Sequence, residues 1–311
     1  MRRVRRAYFR KTDVIRVTKI LVVAERASAS QVALQKAVLI ARHFNATIEL
    51  FTCDAEHAFA LGGDMETEAI VARCLEESRR FLDALRGSIS ARDLQVSIAV
   101  ACASTVGEGI CEHVRKTAPS LVIKSFTDAG VAPAPLPSVT DLHLIRACPV
   151  PLLLTRGRSW HPVPRVCAAV DLARADQLGH AADLLTAAEY LAEGFHGELE
   201  LVYSDRAGTD GAATRALDRL AREAQISAAR IDVLAGPPET ALARRVVDRN
   251  IDVLALGAPG VQDAAAIGRT LTEGLLESVA CDVLLVPPTM MSVRELSGAA
   301  RVVANSVHGQ Q

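Results

Sequence analysis

The stretch Ile251-Asp252-Val253-Leu254-Ala255-Leu256-Gly257-Ala258-Pro259-Gly260 runs on to Gly268-Arg269-Thr270-Leu271-Thr272-Glu273 and closes with Cys281-Asp282-Val283-Leu284-Leu285-Val286-Pro287. Its two ends are short aliphatic runs of the kind that become buried strands. Between them lie a loop of small residues and a segment that opens like a helix. Strand, glycine loop, helix, strand is a layout suited to phosphate. Glycines let a backbone approach a ligand closely, and the following helix offers free N–H groups and the positive end of its dipole.

The same alternation fills the rest of the chain. Lys19–Ala24, Thr47–Thr52, Leu94–Ala101, Leu121–Lys124 and Val150–Thr155 read as strands. Ser30–Phe44, Met65–Leu85, Gly107–Lys116 and Thr140–Arg146 carry apolar residues at helical spacing. A proline-rich loop, Val131–Pro137, follows the fourth strand. Beyond Gly157, Pro162 and Pro164 the order starts again. Strands are predicted at Val166–Val170, Leu199–Tyr203 and Arg230–Leu234, and helices at Gly179–Phe195, Gly211–Gln225 and Pro238–Asn250, before the opening stretch.

Two landmarks fix this internal repeat. Glu25 and Asp171 each end the first strand of their half. Arg146-Ala147-Cys148-Pro149-Val150-Pro151-Leu152-Leu153-Leu154 matches Val279-Ala280-Cys281-Asp282-Val283-Leu284-Leu285-Val286-Pro287. Apolar strands alternating with helices imply parallel, doubly wound sheets, here with five strands per half. Ligands of such sheets bind beyond the carboxyl ends of the strands. Asp171, Tyr203 and Gly257 all lie at such ends.

Composition narrows the classes. A chain of 311 residues suggests about two domains. A net charge of -1 and only 4% aromatic residues argue against nucleic acid as a partner. No apolar run is long enough to span a membrane, and the Arg-rich start is followed by no signal-like apolar core, which points to the cytoplasm. That start reads as a basic arm, with a nucleic-acid or lipid contact as the alternative. Seven cysteines, an odd number with no Cys-x-x-Cys pair, fit reduced thiols rather than a disulfide framework. The eight histidines show no spacing suited to zinc.

In order and twice over, the signatures Thr140-Asp141-Leu142-His143-Leu144-Ile145-Arg146-Ala147-Cys148-Pro149, Val170-Asp171-Leu172-Ala173 and Cys281-Asp282-Val283-Leu284-Leu285-Val286-Pro287-Pro288 resemble a tandem universal stress protein, nearest to the subgroup called universal stress protein E. The resemblance covers roughly Lys19 to Pro288. It implies an α/β fold of two tandem five-stranded parallel-sheet domains, like that of the adenine nucleotide alpha hydrolases. It divides the chain into a basic arm (1–17), a first domain (18–156), a linker (157–164), a second domain (165–288) and a polar tail (289–311). It also implies a cytoplasmic, non-enzymatic stress-response protein. The two halves would form an intramolecular pseudo-dimer through their fifth strands, and a homodimer is left open.

ATP-binding members of that family carry Gly-x2-Gly-x9-Gly-(Ser/Thr). The second half keeps Gly257 and Gly260, then departs: Arg269-Thr270 stands one residue early where Gly-Ser is expected, with Gly268 just upstream. The family's first-strand Asp matches Asp171. The resemblance therefore implies ATP, with Mg²⁺, as the candidate ligand of the second half. Asp171, Val202 (through its backbone), Gly257, Gly260, Gly268, Arg269, Thr270 and Leu271 are its candidate contacts. In the first half Glu25 replaces the Asp, and no Gly-x2-Gly follows Lys124, so that nucleotide site is expected to be lost.

The residues also admit plainer readings. Gly257 and Gly260 would serve a tight turn. Thr270 to Glu273 fits a helix capping box, in which Glu273 competes with an anion. Lys124 would bind an acidic ligand, or pair with Glu25 or Asp128. Neither a Gly-x-Ser-x-Gly elbow nor a Gly-x4-Gly-Lys-(Ser/Thr) loop is present, and no base or metal carboxylate is evident beside the glycines. Cys148 and Cys281 read as small buried hydrophobes, and His143 as a helix residue without a nucleophile. Two rival functions stay open: binding of a lipid or nucleotide-sugar in the first-half cleft, and slow ATP hydrolysis.

Overall fold

The computed structural model describes residues 16–26, 30–55, 65–89, 93–126, 136–172, 178–206, 211–226, 230–259 and 270–288. The basic arm up to residue 15, the proline-rich loop apart from Leu136 and Pro137, Asp128, and the tail from residue 289 lie outside them. The first half comprises β1 (Lys19–Val23), α1 (Val32–Phe44), β2 (Thr47–Asp54), α2 (Met65–Ser88), β3 (Val96–Cys102), α3 (Val106–Thr117), β4 (Leu121–Ser125), α4 (Val139–Ala147) and β5 (Leu152–Thr155). The second comprises β6 (Arg165–Ala169), α5 (Leu178–Gly194), β7 (Glu198–Asp205), α6 (Gly211–Glu223), β8 (Arg230–Ala235), α7 (Pro238–Asp248), β9 (Val253–Gly257), α8 (Leu271–Ser278) and β10 (Asp282–Val286).

Each half has the strand order 3-2-1-4-5, and the two join in one sheet, β3-β2-β1-β4-β5-β10-β9-β6-β7-β8. Neighbours are parallel except at the centre, where β5 and β10 pair antiparallel with Leu153 opposite Leu284. The two predicted sheets are thus one. Their strands point in opposite directions, so the carboxyl ends of the first half lie on the edge where the second half's strands begin.

Side chains alternate across this sheet with period two. Ile20, Val22, Leu121, Ile123, Val253 and Ala255 face the core under α1, α2, α5 and α6. Leu21, Val23, Val122, Leu254 and Leu256 face the core under α3, α4, α7 and α8. Burial on both faces is why the strands read as unbroken aliphatic runs.

The repeat extends to buried charge. Glu49 of β2 meets Lys19 at 2.9 Å and His113 of α3 at 3.0 Å. Glu200, at the same place in β7, meets Arg245 of α7 at 2.8 Å and Arg249 at 2.9 Å. Burial alone would raise the Glu49 carboxyl, but the bonds from His113 and Lys19 outweigh it and hold the group below its usual range.

The halves are locked at the seam. The linker leaves β5 on the edge where β6 begins, so a short segment suffices, and two buried carboxylates pin it. Asp282 accepts from the Arg156 N–H (2.8 Å) and from Trp160 Nε1–H (2.8 Å), and pairs with Lys36 of α1 at 3.0 Å. Asp252 accepts from the His161 N–H (3.1 Å) and the Arg165 N–H (2.9 Å). Beside them the chain's scarce aromatics gather: Phe44 stacks on Tyr190 and meets Phe195 edge-on, and Trp160 packs on Phe195. Gly194 makes this possible, since a Cβ there would overlap the Phe44 ring. Gly194→Ala is expected to cost about 1–3 kcal/mol through overpacking, read as a lowered urea midpoint. A midpoint equal to wild type would mean that the α1–α5 contact yields freely.

Candidate functional site

Of the second-half residues singled out from the sequence, Asp171, Val202 and Gly257 lie at or near the carboxyl ends of neighbouring strands. Asp171 follows β6 and is exposed; Gly257 closes β9; Ala258 N–H donates to Val286 O at 2.7 Å, which turns the chain across β10. Val202 is in β7 with its side chain fully buried, and its carbonyl accepts from the Val170 N–H at 2.9 Å. Gly260, Gly268 and Arg269 lie outside the described residues. Thr270 is the N-cap of α8 and Leu271 its first, exposed residue.

Tyr203, two residues before the end of β7, joins this group. Its phenol is raised by burial and then by the charges of Asp205 and Asp171. The rim is therefore acidic, with hydroxyl and carboxylate groups able to meet amine or hydroxyl donors of a ligand.

Thr270 and Glu273 form the predicted capping box. Glu273 N–H donates to Thr270 Oγ1 (3.3 Å), and Thr270 N–H donates to Glu273 Oε2 (3.1 Å). The other Glu273 oxygen accepts from Arg146 Nη2 at 2.5 Å. Arg146 belongs to the first half and went unmarked in the sequence reading. The sequence match sets it against Val279, whereas counting from the two capping boxes makes Ser278 its counterpart on α8.

The first half shows what fills the equivalent place there. Lys124 of β4 is buried and reaches Glu25 at 2.5 Å and Asp141 of α4 at 3.0 Å. Asp141 is at once the N3 residue of a second capping box: Ser138 N–H donates to its Oδ2 (2.9 Å), and Asp141 N–H donates to Ser138 Oγ (3.1 Å). Burial pulls the Lys124 ammonium down, but Asp141 and Glu25 more than restore it and hold it above the usual lysine value. Glu25 is thus one of the partners expected for Lys124; Asp141 is an unforeseen one. Across the mouth, Arg26 Nη2 donates to Ser78 Oγ at 2.7 Å.

In the second half Leu256 occupies the position of Lys124, and Gly257 that of Ser125: Leu256 pairs with Ala169 as Lys124 pairs with Val23. The two sites therefore differ in kind. One contains its own cation, while the other has an apolar floor, a glycine and Asp171.

His143 packs against Gly107, where a Cβ would come within 2.7 Å of the ring. Cys148 and Cys281 are buried among apolar groups, which pushes each thiol up to about 12. All seven cysteines are unpaired. Among the described residues no cluster of His, Cys, Asp or Glu could hold a metal ion, and no helix is long and apolar enough to cross a membrane.

Comparison with known proteins agrees with this geometry. Residues 16–156 match the model of the Universal stress protein family. The chain is similar in fold to a universal stress protein from Archaeoglobus fulgidus DSM 4304, with a TM-score of 0.69 at 14% identity over 88% of this chain and 99% of that one. It is also similar to a protein assigned to the universal stress proteins from Pseudomonas aeruginosa UCBPP-PA14, with a TM-score of 0.64 at 20% identity over 92% and 99%. No significant match to a curated protein was found. The fold is thus α/β with a mostly parallel sheet, similar to that of these solved structures, and the family match falls on the first half of the chain.

Proposed function

We propose that the whole chain is a tandem universal stress protein of the cytoplasm, which binds an adenine nucleotide at the strand ends of its second half and works without turnover. ATP with Mg²⁺ is the candidate ligand. One observation carries the reading: the first-half place is filled by Lys124 between Glu25 and Asp141, whereas the second-half place offers Leu256, Gly257 and Asp171. The apolar floor suits a base or ribose, Asp171 suits ribose hydroxyls, and the Gly257–Gly260 loop suits phosphates. The candidate residues Gly260, Gly268, Arg269, Thr270 and Leu271 would line the phosphate end, Val202 the base. Because β5 and β10 pair with one another, a homodimer would have to use a different surface.

Titration calorimetry of the full chain with Mg·ATP and ADP tests this. Binding at one site per chain is expected, with Asp171→Asn weakening it about ten-fold through the loss of a charged hydrogen-bond acceptor. No heat up to millimolar nucleotide would remove the nucleotide reading. Steady release of phosphate from Mg·ATP would instead favour the hydrolase. A co-purified lipid or nucleotide-sugar, found by mass spectrometry, would favour the other rival.

A further inference from the structure

The antiparallel seam puts the carboxyl-terminal end of α4, in the first half, beside the amino-terminal end of α8, in the second. There Arg146 Nη2 donates to Glu273 Oε1 at 2.5 Å. Glu273 is buried, and its second oxygen is held by the Thr270 N–H. A carboxylate so placed opposes any phosphate at this edge, because it brings a negative charge to the one helix end that favours an anion. It also uses a donor the anion would need. The same conflict arises at Asp141 in the first half, where the neutralising cation, Lys124, comes from the same half. In the second half Leu256 takes that place, and the cation is borrowed across the seam. The Arg146 side chain is 35% exposed while that of Glu273 is 7% exposed, so the cation stands on the solvent side of the carboxylate it neutralises.

We infer that Arg146 is a positioning residue for the phosphate end of the second-half ligand, so that the affinity of one half is set by a side chain of the other. It neutralises Glu273 and keeps that carboxylate turned onto the Thr270 N–H. The inference rests on the nucleotide reading of the second-half site. It explains an asymmetry between the copies, since counting from the two capping boxes sets Arg146 of α4 against Ser278 of α8.

The test is calorimetry of the full chain with ATP, ADP, AMP and adenosine, on wild type, Arg146→Gln, Glu273→Gln and the double variant. Arg146→Gln is expected to weaken ATP about ten-fold, as one uncompensated charge at close range does in partly screened surroundings. ADP and AMP should lose progressively less, and adenosine little. Removing the opposing charge should restore the double variant to within about three-fold of wild type. A purely structural role for Arg146 would lower all four ligands alike and would not be rescued by Glu273→Gln; that result, or equal ATP affinity in Arg146→Gln and wild type, overturns the inference while leaving the nucleotide reading intact. Wild type that binds none of the four overturns both.

Discussion

Lys124→Ala will lower the unfolding free energy by about 3–5 kcal/mol, the usual cost of stripping one partner from a buried ionic cluster. The lysine is only 5% exposed, and it pairs with both Glu25 and Asp141, at 2.5 and 3.0 Å. Without it two carboxylates face one another under a helix end. Urea unfolding reads the effect, and a triple variant tells a charge effect from a cavity. Lys124→Leu with Glu25→Gln and Asp141→Asn copies the apolar second-half floor and should recover most of the loss. The pH dependence has a definite sign. The folded-state value of Lys124 is raised above 10.5, so its contribution is complete below that pH and is lost as pH rises through the folded value. The wild type should therefore lose stability in strong alkali more steeply than the triple variant. A loss below about 1 kcal/mol in Lys124→Ala would mean that solvent reaches the cluster freely.

This cluster also shows where sequence reading stops. The strand and helix pattern was legible because every strand is buried on both faces, so Ile20 to Val23 and Leu254 to Leu256 appear as aliphatic runs whichever half they serve. Local chemistry was legible too: the Thr270–Glu273 capping box depends on residues three apart, and the structure contains it. Glu25 was recognisable as a partner of Lys124 because both end neighbouring strands of one parallel unit. Asp141 was not. It reads as a helix-start residue, and nothing local says that a capping carboxylate will also receive a lysine from the strand below.

Arg146 was further out of reach. Its contact with Glu273 spans 127 residues and exists only because β5 and β10 run antiparallel. The same is true of the linker anchors. Asp252 and Asp282 sit just before and at the start of strands, where aspartate is commonplace, and their burial follows from the joining of two sheets into one. What the repeat hides is its own breaking of symmetry. Matching positions carry Lys124 and Leu256, Arg146 and Ser278, and these differences set the chemistry of the two places apart.

Asp282→Ala should be as damaging as the loss of Lys124, and for a reason that concerns the union of the halves. Asp282 is 1% exposed and holds three groups from outside its own half's core: Lys36 of α1, the Arg156 N–H and Trp160 Nε1–H. Burial outweighs these partners and raises its carboxyl, while burial lowers the Lys36 ammonium despite Asp282 and Asp252. Both charges are thus expensively placed, and each depends on the other. Removing one should cost about 3–5 kcal/mol, whereas replacing both by apolar groups, Lys36→Met with Asp282→Leu, should end within about 2 kcal/mol of wild type, since the desolvation cost disappears with the pair. Part of that residue is Trp160, whose N–H would lose its acceptor. In Asp282→Ala the stranded Lys36 has a folded-state value below its unfolded one. The unfolded chain then binds more protons, and the variant's stability rises with pH from that lowered value up to about 10.5. Urea midpoints of the four proteins in this cycle, measured at neutral and mildly alkaline pH, give the coupling directly. Additive losses, with the double variant as weak as the sum of the singles, would show that the pair does not act as one unit and that the aromatic contacts of Phe44, Tyr190 and Phe195 hold the seam without it.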